Sequence, residues 1–474
     1  MRAIRKPLIM RGMVLLHYMV MVALFAVCWQ QFYSASAGGH ILSANNLAVY
    51  AMYAASLVML SRIYGAYRVG LAHVGDLLYG QILANLISLA ITYILACVLA
   101  WKPLNPLAGF CCAAVQALFS AGWTVWANRL YFTLHTPKRT VVIYRDESDL
   151  RKLGEIRFFA ERWKVGRTVQ WDEENVHDLP YEKETPGGRS FEAIQKLMRI
   201  MEDYEAVFVS GVSATLRNGI VKYCVEKNKA CYFVPHTGDV IISGAEHIRS
   251  FSVPICRARR SRPAPEYLLL KRAMDIALSL LAIILLSPFM ALAALAIWSY
   301  DHGPVLYKQV RLTKDGRTFE ILKLRSMIVD AEKGGARLAG EHDDRITPVG
   351  RIIRAIRFDE LPQLFNILKG DMSIVGPRPE RPEIAEQYRK ELPAFDLRLQ
   401  VKAGLTGYAQ IYGRYNTEPQ DKLKMDLMYI NHASIAEDVK LIFATVRILF
   451  MRESTSGVAD GQTTASAVEK EKSA

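Results

Sequence analysis

Four long apolar segments, roughly at 12–33, 46–61, 77–101 and 106–130, constrain this chain more than any other feature. Each approaches the length a helix needs to cross a hydrocarbon core of about 30 Å, the second only just. Cations sort unevenly between the loops. Arg2, Arg5, Lys6 and Arg11 precede the first segment, Arg62 and Arg68 separate the second from the third, and Arg129, Lys138 and Arg139 follow the fourth. The loop at 34–45 has no Lys or Arg, and that near 102–105 has one. The positive-inside rule therefore puts both ends of a four-helix bundle, residues 1–135, in the cytoplasm. A basic start before an apolar run also fits a signal peptide, but no small-residue cleavage site clearly follows and more spans come soon after.

Water-facing parts are joined to these segments. Hydrophobic residues make up 51% of the 474, yet 22% are charged, and the formal net charge is +13. Such a balance suits nucleic acid, anionic lipid or a phosphorylated substrate; beside long apolar runs, membrane lipid and phosphate are favoured and no nucleic acid is expected. The seven cysteines lack metal-ligand spacing and none lies beyond Cys256. They read as reduced core or lipid-facing residues, which fits a cytoplasmic site.

Residues 136–256 predict a cytoplasmic, Rossmann-like α/β domain. TVVIY (140–144), AVFVS (206–210) and ACYFV (230–234) read as short buried strands of a parallel sheet, with helical patterns such as SFEAIQKLMRIMEDY between them. VVIYRDES, at the first strand, lacks the glycine fingerprint that brings backbone to a pyrophosphate. A structural or regulatory role is favoured over nucleotide binding. A basic, proline-containing linker from Arg257 to Pro265 suits anionic headgroups, and the small, polar residues 453–474 predict a disordered tail.

Ile276 to Tyr300 carries no charge, but Ser287-Pro288 interrupts it midway. Pro288 cannot donate to the carbonyl four residues back, so a sharp bend is expected, with Ser287 helping to satisfy the freed groups. Both flanks are basic: Lys271 and Arg272 before, Lys308, Arg311, Lys314 and Arg317 after. A re-entrant helix hairpin over 268–300, entering and leaving on the cytoplasmic face, satisfies both constraints better than a fifth span.

The region that follows carries chemistry-bearing residues. A strand is expected around Phe319, Ile321 and Leu322, with Lys323 and Arg325 beyond it. Asp359-Glu360, beside Arg354, Arg357 and Phe358, follows an amphipathic pattern at Ile352, Ile353 and Ile356 and precedes the apolar LPQLFNIL. An isolated Asp-Glu pair is ordinary surface, but partial burial beside cations is the setting of a functional carboxylate. Pro377 and Pro379 stiffen the backbone around Arg378, a preorganised anion clamp. Gly404, Gly407 and Gly413 surround Thr406, Gln410 and Arg414, where exposed N–H groups suit phosphate.

The ordered blocks KRAMDIALSL, Ser287-Pro288, GPVLYKQVRL, ILKLRSM, FDELPQLFNILKGDMSIVGPRPE and KAGLTGYAQIYGR resemble the bacterial polyprenyl-phosphate sugar-1-phosphate transferases, or monotopic phosphoglycosyl transferases. The whole chain resembles the large type that initiates exopolysaccharide, capsule or O-antigen units. The resemblance implies a multi-pass protein of the bacterial inner membrane, with an α/β catalytic domain at 257–452 on the cytoplasmic face and a homodimer as a family expectation. It also implies transfer of a sugar-1-phosphate from a nucleotide sugar, of the UDP-hexose kind, to undecaprenyl phosphate, with release of UMP. Asp359 falls on the family nucleophile that carries a covalent phosphosugar. Glu360 is its partner, and the pair is associated with Mg²⁺. For substrate phosphate, Arg378 is the first candidate, then Lys323, Arg325, Arg354, Arg357, Lys308, Arg311, Thr406, Gln410 and Arg414. Lys271 and Arg272 are candidates for lipid phosphate, although Arg272 and Asp275, three residues apart, equally fit a structural salt bridge. The sugar stays open. The rival readings are a lipid-linked sugar transporter, a membrane scaffold of an export complex, and an enzyme in which Asp359 is a general base.

Overall fold

The computed structural model describes residues 2–33, 43–70, 72–152, 162–171, 197–248, 255–261, 263–329, 331, 343–413 and 417–449. The tail at 453–474 lies outside them. The chain divides into two compact units, Met1–Pro235 and His236–Ala474.

The first unit opens with helices α1 (Arg2–Phe32), α2 (Ala44–Ile63), α3 (Val74–Leu99) and α4 (Leu107–Leu134). All four are long and apolar enough to cross a membrane, as is a fifth helix in the second unit. The protein is a membrane protein. Where α2, α3 and α4 meet, buried polar side chains satisfy one another. Tyr53 Oη donates to Asn85 Oδ1 (2.6 Å), Asn85 Nδ2 to Gln116 Oε1 (3.0 Å), and Gln116 Nε2 to Tyr53 Oη (2.9 Å). Such cross-helix bonds hold helices together where lipid supplies no hydrophobic drive.

A parallel sheet follows, built from β1 (Lys138–Tyr144), β2 (Trp163–Gln170), β3 (Ala206–Ser210) and β4 (Ala230–Phe233), with α5 (Glu147–Lys152) and α6 (Ala214–Glu226) between them. The strand order is β2-β1-β3-β4 and every pairing is parallel. All of β3 is buried, which explains its unbroken apolar run. Strand β2 was not anticipated. Its residues Lys164 to Arg167 are exposed, because an edge strand needs no continuous apolar stretch.

The second unit begins with α7 (Thr237–Ser243) and an antiparallel pair, β5 (Glu246–Ile248) and β6 (Ile255–Arg257). The linker arginines meet protein carboxylates. Arg257 and Arg259 pair with Glu246 (2.7 and 3.5 Å), and Arg260 pairs with Asp315 (2.6 Å).

Helix α8 (Pro265–Asp301) starts at a proline in its first turn and is continuous through Pro288. Ser287 Oγ donates to the Ile284 carbonyl at 3.1 Å. Around this point Ile284, Leu285, Phe289 and Leu292 are all exposed. Both ends, by contrast, dock within the same unit. Near the start, Lys271 Nζ pairs with buried Asp438 (2.8 Å), Arg272 donates to the carbonyls of Ile367 and Leu368 (2.6 and 2.7 Å), and Asp275 Oδ1 accepts from the Ile374 N–H (3.0 Å). Arg272 and Asp275 thus serve backbone groups rather than each other. Near the end, Ile297 packs with Leu324 and Ile353, and Asp301 pairs with Arg325.

The rest of the unit supports the site. Strands β7 (Leu306–Leu312) and β8 (Thr318–Leu324) form an antiparallel hairpin. After α9 (Pro348–Ala355) and α10 (Gln363–Lys369), β9 (Ser373–Val375) pairs in parallel with β10 (Gly404–Thr406). Helices α11 (Pro382–Glu391), α12 (Tyr408–Tyr412), α13 (Pro419–Asn431) and α14 (Ile435–Leu449) complete it. Ile321, Ile367, Met372, Leu423, Leu427 and Leu441 share its main core. Gly404 allows close contact: a Cβ there would collide with the Gly376 backbone. That close approach is a packing need for glycine at this position.

Candidate functional site

The Asp-Glu pair is presented by a turn between two short helices. Thr347 caps α9, its Oγ1 accepting from the Gly350 N–H at 2.9 Å, with Pro348 in the first turn. Past the helix, Arg357 adopts φ 53°, a conformation uncommon for a residue with a side chain, and the chain enters a single 3₁₀ turn, Phe358–Glu360. Ile353 is buried beneath α9, whereas Ile352 and Ile356 are exposed.

The two carboxylates sit in opposite electrostatic states. Glu360 Oε1 accepts from Lys323 Nζ (3.1 Å) and from Arg378 Nη2 (3.0 Å). Burial pushes the Glu360 carboxyl up, but the charges of Lys323, Arg378 and Arg357 outweigh it and hold the group well below the usual carboxylate range. Asp359 accepts no hydrogen bond among the described residues. Burial raises its carboxyl above the ordinary range against the pull of Lys323, with the charge on Glu360 adding to the rise and Arg354 and Arg378 opposing it. One acid is therefore locked as an anion between two cations. Its neighbour is oriented by the turn but left open to react or to bind.

A second layer holds the clamp. The Arg378 carbonyl accepts from Arg398 Nη2 (3.0 Å), and buried Arg398 donates from Nε to Asp426 Oδ2 (2.8 Å) and lies 3.5 Å from Glu380. Arg311 Nη1 donates to the Pro379 carbonyl (3.1 Å), while its buried Nε has no hydrogen-bond partner. Burial lowers the Arg311 guanidinium to about 10, with Glu380 opposing and Arg378 and Arg381 adding to the fall. Half-buried Lys422, on α13, is depressed by burial first, with Glu380 opposing and Arg398 and Arg378 adding to it.

The structure gathers Lys323, Arg354, Arg357 and Arg378 around Asp359-Glu360, with Arg311 against the Arg378 segment. It does not gather the other candidates. Lys308 lies on the exposed face of β7, opposite to Arg311, paired with Glu320 at 3.5 Å. Arg325, two residues from Lys323, is engaged by Asp301. Thr406 is buried with its Oγ1 2.6 Å from Thr445 Oγ1, and Gln410 Nε2 donates to the Leu405 carbonyl (3.1 Å). Arg414 lies outside the described residues. Arg398, Asp426 and Lys422 were missed by sequence reasoning. A charged residue between apolar neighbours, as Arg398 is between Leu397 and Leu399 and Asp426 between Met425 and Leu427, was the available signal; Lys422, beside Asp421, carries none.

The donor set fits a magnesium ion completed by substrate. Asp359 and Glu360 offer adjacent hard oxygens, and Mg²⁺ is commonly held by one or two carboxylates plus substrate phosphates and water. No group of three or more His, Cys, Asp or Glu suited to a metal occurs among the described residues. An all-protein cage does not fit.

Comparison with known proteins places this geometry in a family. Residues 266–452 match the bacterial sugar transferase family. The chain is 42% identical over 190 residues to a UDP-N-acetylgalactosamine-undecaprenyl-phosphate N-acetylgalactosaminephosphotransferase of Aeromonas hydrophila, covering 40% of this chain and 45% of that protein. It is 34% identical over 280 residues to a UDP-glucose:undecaprenyl-phosphate glucose-1-phosphate transferase of Escherichia coli, covering 56% and 60%. A protein of that same name from Caulobacter vibrioides is 40% identical over 189 residues, which cover 39% of this chain and 71% of the relative. The alignments thus span about half the length of the first two relatives. With most of the third relative covered at this identity, the chain belongs to the bacterial sugar transferase family.

Proposed function

We propose that this protein transfers a sugar-1-phosphate from a UDP-sugar to undecaprenyl phosphate on the cytoplasmic face of the bacterial inner membrane, as the first membrane step of exopolysaccharide, capsule or O-antigen synthesis. The observation that carries the reading is the division of labour within the acidic pair: Glu360 is fixed by Lys323 and Arg378, while Asp359 accepts no hydrogen bond among the described residues.

In the first step a carboxylate oxygen of Asp359 attacks the phosphorus nearer the sugar. The bond from that phosphorus to the bridging oxygen breaks, UMP leaves, and an aspartyl phosphosugar remains. In the second step an oxygen of undecaprenyl phosphate attacks the same phosphorus, the acyl phosphate bond breaks, and the Asp359 carboxylate is regenerated. Lys323, with Arg354 and Arg378, opposes the rise that burial imposes on the attacking carboxylate, and Arg378 and Arg311 hold phosphate oxygens as charge develops. A magnesium ion held by Asp359 and Glu360 would neutralise the donor diphosphate.

The second substrate has a tail that stays in lipid, so the site must sit at the bilayer surface. A re-entrant α8 meets this need. Its support is that residues 271–275 and 297–301 engage one folded unit while the apolar middle of the helix is exposed. Exposed Ile352 and Ile356, a few residues before Asp359, suit the same interface. The middle domain is read as Rossmann-like, without a nucleotide of its own.

The test is lipid-dependent release of UMP from a panel of UDP-sugars by the purified protein in nanodiscs with Mg²⁺. Asp359→Asn abolishes release, and mass spectrometry of wild-type protein given donor alone detects a phosphosugar on Asp359. Release that survives the substitution sinks the covalent mechanism.

A further inference from the structure

The first unit holds a cleft of about 590 Å³ whose lining includes none of the residues assigned to the transfer reaction. It lies where the helical bundle meets the sheet. One wall is made of the helix ends. Lys6 precedes the apolar span that begins at Leu8, and Tyr131 and His135 stand at the end of α4, stacked at 4.3 Å. The other wall is the starting edge of the sheet, with Lys138 and Arg139 opening β1 and Lys227 and Lys229 preceding β4. Ligands of open parallel sheets ordinarily bind at the opposite edge, beyond the strands' carboxyl ends. This cleft therefore faces the level at which the spans leave the membrane.

The walls are braced while several cations remain available. Arg162 Nη1 donates to the Gly70 carbonyl (3.0 Å), and Lys229 Nζ donates to the carbonyls of Glu202 and Tyr204 (2.8 and 2.6 Å). Lys6, Lys138 and Arg139 are exposed and make no ion pair among the described residues. Glu202, Asp203 and Glu205 also line the cleft, so it offers acceptors beside its cations. That combination suits a phosphate bearing hydroxyl or amine groups better than a bare anion.

We propose that this cleft binds a phosphate-bearing ligand, either a phospholipid headgroup reached from the bilayer or a soluble phosphate compound, with Lys138 and Arg139 as its main anion contacts. None of its lining residues is among those assigned to the transfer, and the proposal stands whether or not Asp359-Glu360 performs it.

The test is titration calorimetry on the full-length protein in an uncharged detergent. Dihexanoyl-phosphatidylglycerol and inorganic phosphate are the two probes, and dioctanoylglycerol, which lacks phosphate, is the control. One probe binds saturably, and Lys138→Gln/Arg139→Gln weakens it roughly tenfold or more. Lys164→Gln/Arg167→Gln, which removes the same charge from the exposed edge strand, leaves binding unchanged. Lys227→Gln gives a smaller loss in the same direction, in case the double variant folds poorly. A response to lipid alone identifies the membrane as the source, and a response to phosphate assigns a soluble ligand. The proposal is overturned if neither probe binds, if dioctanoylglycerol binds as well, or if the two double variants weaken binding equally.

Discussion

Replacing Arg398 by Met tests how the core of the second unit holds the candidate site. Arg398 is buried, donates from Nε to Asp426 Oδ2 at 2.8 Å and from Nη2 to the Arg378 carbonyl at 3.0 Å, and lies 3.5 Å from Glu380. Met fills much of the same volume but leaves Asp426 buried without its cation. Breaking a buried ion pair from one side costs about 3–5 kcal/mol. For a unit of this size that lowers the melting temperature by on the order of 10 °C. The loss depends on pH. Burial already holds Asp426 up at about 6 against the pull of Arg398, so without the arginine its carboxyl rises further and takes up a proton more readily. Below the new value Asp426 is neutral and no longer an unpaired buried charge, so the penalty is smaller at about pH 5 than at about pH 8. Arg398→Met/Asp426→Leu removes both charges and recovers most of the stability. Denaturant or thermal unfolding of the full-length protein in detergent measures all three variants. A penalty below about 1 kcal/mol, equal penalties at the two pH values, or simple additivity in the double variant refutes the reasoning.

Other outcomes follow from the same contacts. Lys323→Ala, which removes one of the two cations on Glu360, lowers UMP release roughly a hundredfold, whereas Lys308→Ala, on the exposed face of β7, changes it less than about twofold. Asp275→Ala leaves the Ile374 N–H without its acceptor and costs about 1–3 kcal/mol in unfolding measurements; Asp275→Asn retains most of that stability. Gly404→Ala forces a methyl into the Gly376 backbone and costs about 1–3 kcal/mol or more, while Gly238→Ala, where the methyl meets open space, does not destabilise.

Local patterns are legible where an unbroken apolar run is itself the physical cause; the bend expected at Pro288 is not, since α8 runs on through it. A run of apolar residues long enough to span lipid must be a helix there, because no water exists to satisfy free backbone groups. The four N-terminal helices and the apolar length of α8 were therefore legible from composition. So were β1 and β3, whose apolar runs reflect burial on both faces, and β4, an edge strand whose apolar run is only partly buried. Edge strand β2 was not, because one exposed side removes the pattern. The importance of Asp359-Glu360 was visible from its apolar and basic surroundings, but the two roles were not. Glu360 is the locked acid because Lys323, 37 positions earlier, and Arg378, 18 positions later, converge on one of its oxygens. Choice of partner among similar cations is likewise tertiary: Lys323 reaches the pair while Arg325, two residues on, is engaged by Asp301 at the end of α8. The packing need at Gly404, the approach of Gly376, is likewise visible only in the fold. Periodicity and composition report what each segment does with water and lipid. Which charges meet depends on how separate segments pack, and no local pattern carries that.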